Sequence, residues 1–360
     1  MSEHAEIILS PLTPENNFKK LKKEFVYSQH QLWAFMEKNS PMSIRGFCYH
    51  MADVYPFFHY EDAADILCER LDLIKAFGGN YGIIKSTKNM ASSWYRCRIL
   101  NEIYDDAKGV KIAEEIGERP LDEYKNKDDI LQPLYCKAYC GAFMEAVAKK
   151  DGFEWELKPG WTHTEPPGEC ILTARAGPTR IVKDGTATLI PDAGPVGKLV
   201  AQLRAMYAGD HNCAYYYMKR NNVDPLKYHE WLIDTLPPLP EGLDTGKIMH
   251  YYINWYRNYG GNYGIIKATK KESVCWLKCG IPNTWMDKER NRKLSARHVR
   301  GLDEYDNTGK TEYVKYIRET PPPFCRYHCI NYRKMQGNKS GYDINIEYGW
   351  PGECKLTVKN

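Results

Sequence analysis

The residues best suited to chemistry in this chain are cysteines that recur at matching positions in its two halves. Four such pairs exist: Cys97 with Cys279, Cys136 with Cys325, Cys140 with Cys329, and Cys170 with Cys354. On a helix, Cys136 and Cys140 lie four residues apart and therefore share one face. A third thiol from Cys170 would complete a site for a metal ion such as zinc or iron. The corresponding three cysteines predict the same site in the second half.

Two other roles for these thiols stay open on the sequence alone. Free cysteines commonly act as small apolar residues that pack a helix on a sheet, and an activated thiolate is an effective nucleophile. Thiols that are kept in both halves favour a structural or metal-binding role, because catalysis often survives in only one copy of a duplication. Cys48, Cys68, Cys213 and Cys275 have no counterpart in the other half, and we expect them to be packing residues.

Acid–base chemistry has two candidate sets in the first half. His163 stands two residues before Glu165, where a carboxylate could orient a general base, or where both are simply neighbours on one face of a strand. Asp122 and Glu123 belong to a Leu-Asp-Glu-Tyr turn that returns at 302–305. Such a turn supplies either a helix N-cap or a carboxylate for proton transfer. His163, Asp122 and Glu123 are therefore the catalytic candidates.

A tandem duplication organises these residues. The eight residues Gly-Gly-Asn-Tyr-Gly-Ile-Ile-Lys at 78–85 return unchanged at 260–267, and matches at the same spacing continue on both sides. A repeat of this length indicates two whole domains rather than a solenoid. We predict a first domain at 1–175, a linker rich in proline and glycine at 176–196, and a second domain at 197–360.

Each copy has the pattern of helices and strands that do not alternate regularly. Apolar residues at helical spacing predict helices at 18–37, 62–76 and 134–149. The glycine pair that ends the second helix leads into a strand at 81–87, whereas a phosphate-binding loop would lead into a helix. Further strands are predicted at 94–100, 153–157 and 169–173. This order indicates an α+β fold in which helices pack on an antiparallel sheet in each domain. Duplication of a former homodimer predicts that the two domains are related by a pseudo-twofold axis.

Charge and composition exclude several classes of protein. The net charge is only +4 over 360 residues, without the concentrated basic stripe expected of a nucleic-acid-binding protein. No apolar run is long enough to span a bilayer, so we expect no membrane partner. The first residues lack the pattern of a secretory signal, which predicts a cytoplasmic location. In that location the 12 cysteines favour free thiols or metal ligands over disulfides.

The region from Tyr135 to Phe143, which contains Cys136 and Cys140, is followed by a Pro-Gly-Glu-Cys turn that ends at Cys170. These two motifs resemble the end of the 4-vinyl reductase domain and of the related L-2-amino-thiazoline-4-carboxylic acid hydrolase-like proteins. The resemblance implies an α+β fold that binds a small molecule. One branch of that group consists of ligand sensors, and the other of hydrolases that open a cyclic carbon–nitrogen bond.

The sequence therefore predicts a hydrolase-like enzyme for a small aromatic or heterocyclic molecule, with a thiol site or a zinc or iron site. The alternatives are a non-catalytic binding or sensor module and an accessory subunit of a larger complex. A wet pocket in which His163 and a carboxylate converge on a thiol would favour the enzyme, and a dry aromatic cavity would favour binding alone. The expected partners are the small molecule and a second copy of the chain in a homo-oligomer.

Overall fold

The chain folds into two compact units. One unit is formed by Lys22–Leu199, and the other by Met1–Leu21 together with Val200–Asn360. The computed structural model describes residues 9, 12–54, 59–118, 133–160, 169–280, 321, 323–349 and 353–360.

The two copies contain the same elements in the same order over most of their described residues. The first copy consists of α1 (Pro14–Lys38), α2 (Ile44–Val54), α3 (Ala63–Ala76), β1 (Asn80–Ser86), β2 (Met90–Arg96), α4 (Ile99–Tyr104), α5 (Ala107–Glu115), a first π segment (Cys136–Phe143), α6 (Met144–Lys150), β3 (Phe153–Lys158) and β4 (Glu169–Ala176). The second copy consists of α7 (Val196–Arg220), α8 (Pro225–Thr235), α9 (Thr245–Asn258), β5 (Asn262–Ala268), β6 (Glu272–Lys278), a second π segment (Phe324–Asn331), α10 (Tyr332–Lys339), β7 (Asp343–Glu347) and β8 (Glu353–Lys359).

Each copy builds one antiparallel sheet of four strands. The strand order is β1-β2-β4-β3 in the first copy and β5-β6-β8-β7 in the second. An irregularity is repeated as well, because the register of the first hairpin shifts between Ile83 and Lys85, and that of the second between Ile265 and Lys267. Helices pack against both sheets. The predicted α+β fold with two similar domains is therefore confirmed.

The unchanged octapeptide has a structural explanation in its glycines. Gly78 ends α3 with a φ of 83°, a conformation that favours glycine at the end of a helix. Gly82 lies directly beneath Trp94 of the neighbouring strand, and a Cβ atom at this position would come within 2.3 Å of the indole ring. Gly264 has the same close contact with the tryptophan of β6. Each hairpin therefore needs a glycine at that position, because a side chain there would collide with the tryptophan of the neighbouring strand.

Helix α3 covers the inner face of the first sheet and faces the first π segment. Its N-terminus is fixed by Asp62, whose carboxylate accepts hydrogen bonds from the backbone N–H groups of Ala64 and Asp65. Its apolar side chains are fully buried against β2 and β4. Helix α2, which the sequence pattern did not predict, packs on the first π segment and on α6. These contacts place α2, α3 and the sheet around one interior.

Two predicted elements differ from the structure. Strand β2 ends at Arg96, and the predicted strand at 94–100 is wrong beyond that residue because α4 begins at Ile99. The buried residues Ile99, Leu100 and Ile103 have the spacing of a helix face. The predicted helix at 134–149 is present, but the residues of the first π segment have the wider π-helical turn.

Candidate functional site

Both copies carry a π-helix at the position of the paired cysteines. The first π segment begins at Cys136 and includes Cys140, and the second π segment includes Cys325 and Cys329. Each runs directly into an α-helix, and each has its cysteines buried. π-Helices are rare and frequently occur at functional sites. Their presence at equivalent positions in both copies makes this region the candidate site.

In the first copy, a buried arginine contacts one of these thiols. Arg70 projects from α3, and its Nη2 atom donates a hydrogen bond to Cys140 Sγ at 2.8 Å. The side chains are almost wholly enclosed, with 1% of Arg70 and 2% of Cys140 exposed. The guanidinium also lies over the ring of Tyr139, with 4.5 Å between its carbon and the ring centroid. A thiol and an aromatic face thus form the immediate surroundings of this cation.

Among the residues that the structure describes, Arg70 has no carboxylate partner of the kind that a buried cation normally has. Its Nε and Nη1 atoms have no hydrogen-bond partner among the described residues. Burial by itself would lower the pKa of Arg70, but the thiol of Cys140 and the phenol of Tyr139 outweigh burial and raise it. Burying a charge costs several kcal/mol unless it is paired. The free donors of Arg70 therefore point to an anionic partner.

The other three repeated thiols of the first copy are held in their neutral form. Burial raises the pKa of Cys97 to about 12, and it raises the pKa of Cys136 and Cys170 as well. Cys140 and Cys170 are close enough to Cys97 and Cys136 to add to the raised pKa of both. The hydroxyl of Tyr95 donates to Cys140 Sγ at 3.6 Å. Cys140 is distinguished from the other three by its hydrogen bond from the arginine.

A tryptophan connects this buried set to the surface. Trp155 on β3 donates a hydrogen bond from its Nε1 atom to the backbone carbonyl of Cys140 at 2.6 Å. The same side chain, which is only partly buried, lines a cleft of about 670 Å³. Glu145, Lys149 and Arg175 contribute charged groups to the cleft wall. Trp155 is thus the described side chain that both borders the cleft and contacts the thiol-bearing residue.

The second copy surrounds its own thiol with the same kinds of group. Burial raises the pKa of Cys329 to about 12, while the nearby Arg333 and Tyr256 act to lower it. Arg333 is 4% exposed and lies over the ring of Trp255, with 4.7 Å between its guanidinium carbon and the ring centroid. Its Nε atom has no hydrogen-bond partner among the described residues. Again an arginine, a tyrosine and a thiol meet in the interior.

The arginine and the tyrosine come from different elements in the two copies. In the first copy the arginine is on α3 and the tyrosine on β2, whereas in the second the arginine is on α10 and the tyrosine on α9. The aligned pairs are Arg70 with Tyr252, Met144 with Arg333, Tyr95 with Leu277, and Ile74 with Tyr256. Only the cysteine keeps its position. This pattern indicates that the chemical surroundings of the thiol are maintained as a set.

The structure locates the predicted thiols but not the predicted acid–base residues. Cys136, Cys140 and Cys170 are near one another in the first copy, and Cys325, Cys329 and Cys354 are near one another in the second. His163, Asp122 and Glu123 lie outside the described residues. All 12 cysteines are free thiols. The unmatched Cys48 and Cys275 are buried packing residues, as the sequence led us to expect.

Sequence reasoning missed the arginines and tyrosines beside the thiols. A signal for Arg70 existed, because it occupies a position in the apolar stripe of α3, four residues after Ile66 and four before Ile74. A charged residue in such a stripe is almost never fully buried unless it is paired. Arg333 and Tyr256 gave no comparable signal, because their helices carry aromatic and polar residues on several sides.

The described residues do not by themselves form a metal centre. No group of three or more His, Cys, Asp or Glu side chains in this part of the chain is arranged so that it could hold a metal ion. The zinc or iron site expected from the cysteine spacing therefore stays a prediction. The contact that the structure adds is the one between the arginine and the thiol.

Comparisons with known proteins give no match for this chain. No family model matches it, and neither a curated protein nor a solved structure matches at a significant level. None of the helices that the structure describes combines the length and the apolar character needed to span a bilayer. The function must therefore be argued from the site itself.

Proposed function

We propose that the chain is a hydrolase-like enzyme that acts on a small aromatic or heterocyclic molecule, with Cys140 as its nucleophile. The observation that carries this proposal is the hydrogen bond from Arg70 to Cys140, where the described part of the chain supplies no carboxylate for the arginine. A neighbouring cation favours the thiolate, which is the reactive form of cysteine. The remaining donors of Arg70 suit an anionic group on the substrate, such as a carboxylate.

The reaction that fits such a site is the opening of a cyclic carbon–nitrogen bond. The Cys140 thiolate adds to the ring carbon and forms a carbon–sulfur bond. The electron pair of the carbon–nitrogen bond then leaves on the ring nitrogen, which takes a proton from a general acid. Water cleaves the carbon–sulfur bond and restores the thiol, so that one water is consumed per turnover. His163, Asp122 and Glu123 are the proposed candidates for the acid and the base.

The groups around Cys140 would support this reaction in distinct ways. Tyr95 holds a hydrogen bond to Sγ, and burial together with the nearby thiols raises its pKa well above the usual value, so it stays a donor. The cleft beside Trp155 would admit the substrate, and a change in the hydrogen bond from Trp155 to the Cys140 carbonyl would open the way to the thiol. Tyr139 would stack on a flat ring held by Arg70.

The test is a substrate screen with matched thiol variants. The intact chain is incubated with five-membered cyclic amides and amidines that carry a carboxylate, among them 2-aminothiazoline-4-carboxylate. Ring opening is followed by mass spectrometry in ¹⁸O-labelled water. Cys140→Ser should abolish turnover, whereas Cys68→Ser, the same change at a half-buried thiol outside the cluster, should preserve it. Turnover that survives in Cys140→Ser would refute the nucleophile.

A second candidate function is a binding module without catalysis. The observation in its favour is the burial of the thiols, which keeps Cys97, Cys136 and Cys170 protonated and Cys140 out of solvent. In that case Arg70 would anchor the ligand and Cys140 would only accept its hydrogen bond. A compound from the same screen that binds with unchanged affinity to Cys140→Ser, and that is never turned over, would identify this function.

A further inference from the structure

The second copy contains a cluster of buried histidines that the first copy lacks. The aligned pairs are His211 with Gln29, His229 with Cys48, and His328 with Tyr139. These three residues, which we call the histidine cluster, come from α7, α8 and the second π segment. The ring centroid of His328 is 4.9 Å from that of His211 and 5.9 Å from that of His229. The cluster therefore occupies one continuous part of the interior.

Hydrogen bonds fix one side of each imidazole. His211 donates from Nδ1 to the backbone carbonyl of Tyr207 at 2.9 Å. Nε2 of His328 pairs with the hydroxyl of Tyr207 at 3.0 Å, and Nε2 of His229 with the hydroxyl of Tyr215 at 3.1 Å. When a tyrosine donates to Nε2, the hydrogen of a neutral imidazole lies on Nδ1. His229 and His328 then each present an N–H group on the opposite side.

The ring nitrogens on those opposite sides have no hydrogen-bond partner among the described residues. The Nδ1 atoms of His229 and His328 are buried and unpaired among the described residues, as is Nε of Arg333. All three side chains lie against the ring of Tyr332, at 5.2 Å and 5.7 Å for the two imidazoles and 5.1 Å for the guanidinium. Three buried polar atoms that lack a partner among the described residues thus belong to side chains around one aromatic ring, and the two imidazole Nδ1 atoms are donors in the tautomer given above. Buried polar groups are nearly always satisfied in native proteins, so a missing acceptor is implied.

The main electrostatic influences on these side chains include no carboxylate of the described residues. Burial lowers the pKa of His229 and His328 well below the usual value, and the positive charge of Arg333 and the other histidines add to the effect. No carboxylate contributes to these shifts or to that of Arg333 among the described groups. The region holds neutral imidazoles, aromatic faces and one cation, Arg333, whose Nη1 atom donates a hydrogen bond to Oε1 of Gln336 at 3.2 Å.

We propose that the second copy binds a small planar carboxylate through Arg333 and the imidazole N–H groups of His229 and His328. A carboxylate offers acceptors that match a guanidinium and neighbouring N–H donors. The faces of Trp255 and Tyr332 are in contact with Arg333 and His328, so the carboxylate itself is the group that this site would recognise. This site is separate from the thiol chemistry proposed for the first copy, and it needs no reaction.

The probe is benzoate, and its binding to the intact chain is measured by titration calorimetry. The wild-type chain should bind benzoate saturably, and Arg333→Met should weaken binding about 10-fold or more, because a charge-assisted hydrogen bond is lost. Methionine is the residue at the aligned position of the first copy, Met144, so α10 should tolerate it. Cys68→Ser, a change at a half-buried thiol outside both sites, should leave benzoate affinity unchanged.

A second variant, in which the arginine is moved to another helix, distinguishes loss of the binding site from loss of folding. Tyr252 is aligned with Arg70, and Arg333 lies over its ring at 5.3 Å. The double variant Arg333→Met, Tyr252→Arg therefore moves the cation to the element that carries it in the first copy, and it should recover a large part of the affinity. Wild-type chain that does not bind benzoate, or Arg333→Met chain that binds it with wild-type affinity, would overturn the proposal.

Discussion

The contact between Arg70 and Cys140 predicts that the two side chains are energetically coupled in an asymmetric way. Cys140→Ala leaves the guanidinium buried without the one hydrogen-bond acceptor that it has in the described structure. Removing one partner of a buried charged pair costs about 3–5 kcal/mol. Arg70→Met removes the charge together with its desolvation penalty and leaves only a small thiol, which is tolerated in an apolar interior. We therefore expect Arg70→Met to change stability by about 1 kcal/mol or less.

A double-mutant cycle measures this asymmetry as a coupling energy. In the Arg70→Met background, Cys140→Ala should cost only about 1 kcal/mol, the order expected for a small cavity. The difference between the two backgrounds gives a coupling energy of about 2–4 kcal/mol. This is well above the coupling of a typical neutral hydrogen bond, about 1 kcal/mol.

The assay must report on the unit that contains the pair, because a chain with two compact units does not unfold in a single two-state step. Urea unfolding is therefore followed by hydrogen exchange and mass spectrometry of peptides from α3 and the first π segment. Cys68→Ala serves as the control for loss of a thiol elsewhere in the same unit. Equal costs of Cys140→Ala in the two backgrounds would refute the argument that the arginine depends on the thiol.

Three further predictions follow from other contacts. Burial lowers the pKa of His211 from 6.5 to about 4 and lowers the pKa of His229 and His328 well below the usual value; the unfolded chain therefore takes up protons first, and stability is lost as pH falls below 6.5. The triple variant His211→Gln, His229→Cys, His328→Tyr carries the corresponding residues of the first copy. It should reduce the pH slope of the unfolding free energy by up to about 1.4 kcal/mol per pH unit for each histidine, and an unchanged slope in acid titrations would contradict this. Trp155→Phe should cost about 1 kcal/mol in urea unfolding, since it removes the hydrogen bond to the Cys140 carbonyl; no loss would show that this bond is not formed. Gly82→Ala should cost about 1–3 kcal/mol and shift tryptophan fluorescence, because its Cβ would collide with Trp94; a neutral result would rule out that packing.

The fold was largely predictable because its signals are local and appear twice. The glycine pair at the end of α3, the short apolar strand and the duplicated octapeptide each mark a boundary that the structure confirms. Helix α2 was missed although Ile44, Phe47, Cys48 and Met51 have the spacing of one helix face. The π-helical turn was not predictable either, since a spacing of four residues fits both kinds of helix.

The site was predictable only in its thiols, because the cysteines are the members that keep their sequence positions. Cys140 and Cys329 align, and a comparison of the two copies selects them directly. Arg70 and Arg333 do not align, so the same comparison discards both as unmatched residues. Comparing the two copies position by position therefore identifies the cysteine, which keeps its position, and overlooks the arginine, which does not.

The arginine occupies different positions in the two copies, and this difference indicates what the interior requires. If the arginine served α3 alone, its loss from the aligned position in α9 would need no replacement. Instead Tyr252 stands there, and Arg333 reaches over that tyrosine from α10 to bring a cation near Cys329. Burying a second guanidinium that has no carboxylate partner in the described part of the chain is costly, so a purely structural interior would be expected to replace it with an apolar residue, as Met144 illustrates in the first copy. The retention of a cation at each thiol, at that cost, is the physical reason to look for an anion in both copies.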